Sequence, residues 1–142
     1  MTFLVSAPNF GSPNSYYPKG AIFVFYGNGN SFSKEPDITI YGDSDGTLLG
    51  YTLSSGDIDG DNKKELIIGS PFDGLQRGTV TIYSSKKRNS TILVNSRDAD
   101  ITIKGENNYN WFGYHLNVFE NSTNSLLIVG APVVNQGRQI QS

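Results

Sequence analysis

Apolar residues along the chain come in short bursts and not at helical spacing. Phe3-Leu4-Val5, Ala21-Ile22-Phe23-Val24-Phe25-Tyr26, Leu66-Ile67-Ile68, Thr79-Val80-Thr81-Ile82-Tyr83 and Leu126-Leu127-Ile128-Val129 are rich in β-branched and aromatic side chains. Gly, Pro, Asn or Asp bounds each burst, the punctuation expected of strands joined by tight turns. Such spacing leaves no room for a helix of about ten residues or more. The pattern predicts an all-β chain.

The bursts also repeat, and a repeat decides the architecture. Leu4-Val5-Ser6-Ala7-Pro8 returns as Ile67-Ile68-Gly69-Ser70-Pro71, 63 residues on, and as Ile128-Val129-Gly130-Ala131-Pro132, 61 further. Ile38-Thr39-Ile40-Tyr41-Gly42 and Leu49-Gly50-Tyr51-Thr52-Leu53 return 63 residues later as Ile101-Thr102-Ile103-Lys104-Gly105 and Phe112-Gly113-Tyr114-His115-Leu116. Lys19-Gly20-Ala21-Ile22-Phe23-Val24-Phe25 pairs with Arg77-Gly78-Thr79-Val80-Thr81-Ile82-Tyr83 at an offset of 58. Each period holds four strand candidates, which in the middle period fall near 49–55, 65–70, 78–84 and 99–104. Four antiparallel strands per repeat describe a β-propeller blade. The expected division is an incomplete blade over 1–47, a complete one over 48–105 and an incomplete one over 106–142. A closed propeller needs at least about four blades, so about two and a half read as part of something larger.

Composition narrows the chemistry. With 11 Lys+Arg against 13 Asp+Glu the formal net charge is −2, which excludes a dominant electrostatic grip on nucleic acid. No apolar stretch approaches the ~20 residues that span a bilayer, so no transmembrane segment is expected. The first residues lack the basic and long apolar regions of a signal peptide. The chain has no cysteine, which removes thiol catalysis and thiolate metal sites, and its one histidine, His115, cannot build a multi-histidine zinc centre.

The strongest chemical motif is Gly56-Asp57-Ile58-Asp59-Gly60-Asp61-Asn62-Lys63-Lys64-Glu65. Acidic side chains occupy loop positions 1, 3, 5 and 9 of the stretch 57–65. A hard cation such as Ca²⁺ seeks about six to eight oxygens, and alternate residues of a tight loop aim them inward. Asp57, Asp59 and Asp61 would supply carboxylates, Lys63 a backbone carbonyl and Glu65 the closing carboxylate. Asn62 stands at the sharp turn, where its tolerance of positive φ is useful. An EF-hand would need Glu at position 12, which is Ile68, and helices on both sides. The bland alternative is a solvated Asp/Gly/Asn turn, but four carboxylates within nine residues repel one another and favour a cation. The corresponding connection from Asn117 to Ser125 has only Glu120 as an acid, so no metal is expected there. The first period lacks this segment.

Leu49-Gly50, Asp57-x-Asp59-x-Asp61, Gly69-Ser70-Pro71, Phe112-Gly113 and Gly130-Ala131-Pro132 resemble FG-GAP repeats. That family forms the seven-bladed propeller of integrin α subunits. Ile67-Ile68-Gly69-Ser70-Pro71-Phe72, Gln76-Arg77-Gly78 and Trp111-Phe112-Gly113-Tyr114 are most similar to the C-terminal propeller of the glycosylphosphatidylinositol-specific phospholipase D family. This resemblance implies a secreted, calcium-binding, non-catalytic propeller segment. The parent would hydrolyse the inositol phosphate linkage of GPI anchors with zinc held in a preceding catalytic domain. None of that domain's zinc ligands carries over onto this chain. The implied partners are further blades or that catalytic domain in a longer chain, and GPI-anchored proteins or a lipid surface. The alternative is an integrin-like adhesion module with no enzyme attached. Glu65 in place of the family's Asp, and Asn62 in place of its Gly, depart from the pattern and would weaken the site without abolishing it.

Other residues carry less. Asn89-Ser90-Thr91 and Asn121-Ser122-Thr123 are N-glycosylation sequons on expected loops, with Asn89 and Asn121 as acceptors. His115 reads as a packed or surface residue and Trp111-Phe112 as core packing. Gly27-Asn28-Gly29 is a hairpin turn, because no Lys-Ser/Thr and no helix follow it. The Tyr16-Tyr17 connection is either a binding surface or simply a long loop.

Overall fold

The computed structural model describes residues 1–11, 14, 16–86 and 90–133, apart from the Ser96 side chain. Among these residues, ten strands form three sheets. The first sheet orders β1 (Thr2–Ala7), β2 (Ala21–Tyr26), β3 (Ile38–Tyr41) and β7 (Ile92–Val94). The middle sheet orders β4 (Thr52–Gly56), β5 (Glu65–Ser70), β6 (Thr79–Tyr83) and β8 (Ile101–Lys104), each neighbouring pair antiparallel. The third pairs β9 (His115–Glu120) with β10 (Ser125–Gly130). The described residues contain no helix long and apolar enough to cross a membrane.

Two hydrophobic layers hold these sheets face to face. Successive residues of a strand point to opposite faces, and β5 uses this fully: Ile67 and Ile68 are both 0 % exposed. Ile68 packs with Ile22, Val24, Ile40 and Leu49 toward the first sheet. Ile67, with Val80 and Ile82, meets Leu116, Val118, Leu127 and Val129 of the third. Each such side chain contributes about 1.5–3 kcal/mol by leaving water. This two-sided burial explains why the middle bursts are continuously apolar and not alternating. The outward faces differ: Phe3 is 54 % exposed on the first sheet, and Phe119 and Leu126 are 61 % and 57 % exposed on the third.

The repeat seen in the sequence returns as a repeat of backbone hydrogen bonds. Gly42 N donates to Gly20 O at 3.0 Å, and Gly105 N to Gly78 O at 2.9 Å. Leu49 N donates to Lys19 O, and Phe112 N to Arg77 O, at 2.9 and 3.1 Å. The partners shift by the same 63 and 58 residues as the motifs. Gly20 and Gly78 take φ of 81° and 89°, a region that favours glycine. A Cβ at Gly78 would lie 2.0 Å from Phe112 O, so the glycine also permits the close approach between sheets.

One strand was not legible in advance. The connection after β6 yields β7, which runs parallel to β3 and extends the first sheet from three strands to four. Leu93, 4 % exposed, drops into the layer between first and middle sheets, and that burial fixes the pairing. Just beyond it, Asn95 is 3 % exposed, and its Oδ1 accepts from Thr81 Oγ1 at 2.8 Å and from the Tyr83 hydroxyl at 2.9 Å. Asn95→Ala takes the acceptor from the buried Thr81 hydroxyl, while the Tyr83 hydroxyl keeps the residue-95 carbonyl at 3.3 Å, and is expected to cost about 1–2 kcal/mol, measured as a lower urea midpoint with an unchanged slope. A midpoint equal to the parent's would show that this junction is wet.

Candidate metal centre

The loop between β4 and β5 is closed at its base by the pairing of Gly56 with Glu65. Above that pair the backbone curls around its own carboxylates. Asp57 Oδ1 accepts the amides of Gly60 and Asp61 at 2.7 and 3.1 Å, and its Oδ2 that of Asn62 at 2.8 Å. Asp59 Oδ1 accepts from Asp61 N at 3.1 Å, and Asp61 Oδ1 from Lys63 N at 2.8 Å. Gly60 and Asn62 take φ of 81° and 67°, which tightens the curl. These turns are what Asp and Asn do locally, and here they have a collective result. Ligand oxygens of Asp57, Asp59 and Asp61 lie within 4.8 Å of one another.

Glu65 plays a different part. It is 4 % exposed, and its Oε2 accepts from Ile58 N at 2.8 Å and Asp59 N at 3.4 Å, so it anchors the loop from below. Its other oxygen, Oε1, is buried with no hydrogen-bond partner. A buried, unpartnered carboxylate oxygen is expensive, and a cation beside it would remove the cost. The Glu65 carboxylate falls outside the group that the three aspartates form. Lys63, expected to offer its carbonyl, holds the loop through the hydrogen bond that its backbone N–H donates to Asp61 Oδ1. The donor set is all oxygen, which suits a hard divalent cation such as Ca²⁺ over a thiophilic metal.

Sequence reasoning did not single out the neighbours that hold this loop from the third sheet. Asp57 N donates to Glu120 Oε1, and Ser125 Oγ donates to the Asp57 carbonyl. Lys64 Nζ lies 3.9 Å from Glu120 Oε2. The signal was present: Glu120 stands 63 residues after Asp57, the same offset as the repeat.

The other candidates separate from this centre. His115 is exposed on β9 and joins no metal-ligand group among the described residues. Asn121 is exposed in the β9–β10 turn, where its Oδ1 accepts from Thr123 N at 2.9 Å; Asn89 lies outside the described residues. Phe112 packs against the second layer, while Trp111 stacks on Tyr114 at 5.7 Å and donates to Gln76 Oε1 at 2.8 Å. Tyr51 and Tyr114, also 63 apart, share a hydroxyl hydrogen bond of 3.3 Å. That bond, then burial, then the neighbouring phenol raise the Tyr51 hydroxyl above its ordinary pKa.

Residues 49–83, which contain the acidic loop and β4, β5 and β6, match the FG-GAP repeat family. The chain contains an FG-GAP repeat. Its sheets are β-propeller blades, and the first and middle ones each have four strands. The chain is 38 % identical over 133 residues to human phosphatidylinositol-glycan-specific phospholipase D, covering 90 % of this chain and 16 % of the relative. The phospholipase of the same name from Dictyostelium discoideum is 39 % identical over 140 residues, covering 91 % and 15 %. Integrin alpha pat-2 of Caenorhabditis briggsae is 31 % identical over 98 residues, covering 68 % and 8 %. The chain thus spans about a sixth of the length of the phospholipases it matches.

Proposed function

We propose that this chain is a non-catalytic, calcium-binding propeller segment, in which Asp57, Asp59, Asp61, the Lys63 carbonyl and Glu65 hold the ion. Its units would be an incomplete blade over 1–47, a complete one over 48–105 and an incomplete one over 106–142. The observation that carries the reading is the gathering of Asp57, Asp59 and Asp61 oxygens within 4.8 Å on a loop whose closing residue, Glu65, leaves its buried Oε1 unpartnered. The role of the ion is mechanical. It would neutralise clustered carboxylates and clamp the loop to its two strands, so that binding favours the folded state. Calorimetric titration of the chain with Ca²⁺ tests this, with one site expected and its loss in Asp61→Ala. No heat of binding in the parent would remove the calcium role.

The similarity to phosphatidylinositol-glycan-specific phospholipases extends over nine-tenths of the chain. It supports a place in a longer, secreted protein that hydrolyses GPI anchors with zinc in another domain. The blades would scaffold that enzyme or present it to anchored proteins or a lipid surface. Asn121, exposed in its turn, and Asn89 would carry glycans in such a protein. The integrin similarity over 98 residues favours a second reading, an adhesion propeller without enzyme. An assay of the native polypeptide for release of a GPI-anchored reporter separates them: release supports the first, and its absence the second.

A further inference from the structure

We infer that Glu120 and Ser125 latch the acidic loop to the following sheet, so that calcium binding and docking of β9–β10 are one coupled event. The inference rests on the calcium reading above and adds residues that are not themselves ligands. Asp57 is the first residue of the loop, and both its backbone groups are held from across the interface. Its amide donates to Glu120 Oε1, and its carbonyl accepts from Ser125 Oγ. The contact is close enough to exclude a side chain at Gly56, where a Cβ would lie 2.3 Å from Val118 Cγ1 and 2.9 Å from Glu120 Oε1. Val118 itself belongs to the apolar layer between the two sheets.

The repeat explains the origin of the latch. Glu120 occupies the position that Asp57 holds one period earlier. The third repeat lacks the other acids of the motif, but its first-position acid remains and serves the preceding loop. Its Oε2, 3.9 Å from Lys64 Nζ, completes the bridge on the far side of the loop. Fixing the Asp57 backbone fixes the direction of its carboxylate, and residues behind a metal's ligands orient those ligands. Coupling of this kind is reciprocal: whatever factor docking adds to calcium affinity, calcium adds to docking.

Three variants of the chain test the latch, with Ca²⁺ alone as the probe. Glu120→Ala is expected to weaken calcium binding at least about tenfold, and Ser125→Ala to weaken it by a smaller factor. Glu120→Gln, which keeps an oxygen for the Asp57 amide, should recover most of the affinity. Hydrogen exchange supplies the second readout. Calcium should slow exchange of β9 and β10 amides in the parent, and of the loop alone in Glu120→Ala. Parent-like affinity in Glu120→Ala and Ser125→Ala would overturn the latch while leaving the calcium site standing. Gln behaving like Ala would overturn it in favour of a bare charge effect. If the parent binds no calcium, the calcium reading fails and the coupling with it. Exchange in chelator then still reports the latch contact, through protection of the Asp57 amide that Glu120→Ala removes.

Discussion

Chelation is expected to lower the melting temperature of the parent chain, and Asp59→Ala to melt at one temperature with or without chelator. The size follows from linkage: a ligand at a hundredfold excess over its Kd stabilises the folded state by about 2.7 kcal/mol. For a chain of this length that is a shift of about 8 °C. Asp59 is the informative position because it is exposed and its carboxylate accepts one backbone amide, that of Asp61 at 3.1 Å. Removing it should therefore reproduce the chelated parent and little else. Asp57→Ala should melt lower still, because its carboxylate also accepts the amides of Gly60, Asp61 and Asn62. Added salt should raise the melting temperature of the chelated parent by screening carboxylates gathered within 4.8 Å. An Asp59→Ala variant that still responds to chelator would place the ion elsewhere.

The difference between Asp59 and Asp57 also marks how far the sequence could be read. Alternate acids in a tight loop specify their own gathering, because Asp and Asn side chains bond the backbone two to five residues on, and that is local chemistry. The strands were legible for a similar reason, since Ile67 and Ile68 need opposite faces and a sheet on each. What escaped was long-range. Leu93 fixes β7 beside β3 only because a partner layer exists to receive it. Glu120 reaches Asp57 only because the sheets stack in register. Neither contact has a local signature, though the 63-residue offset between Asp57 and Glu120 was available to a reader who aligned the periods. Asn95 belongs with them: a buried amide that answers Thr81 and Tyr83 is invisible until those strands are placed.

The glycines of the repeat give the second large expected effect, because conformational preference and steric exclusion can be separated there. Gly29 has φ of 102° and open space around a would-be Cβ, so Gly29→Ala carries the backbone penalty alone, about 1 kcal/mol. Gly78 has φ of 89°, and its Cβ would meet Phe112 O at 2.0 Å and Phe112 N at 2.5 Å. Those atoms are backbone, so no side-chain rotation relieves the overlap. Phe112 N is also bound to Arg77 O at 3.1 Å, next to Gly78, so relief means breaking the joint between the sheets. Gly78→Ala should therefore cost about 4 kcal/mol or more, in the range reserved for strain plus lost packing. Urea midpoints of the two variants and the parent measure the difference. A Gly78→Ala variant no weaker than Gly29→Ala would mean that the sheets do not meet at Phe112. A large gap would mean that the spacing of glycines sets the distance between blades, with apolar layers filling what that distance allows.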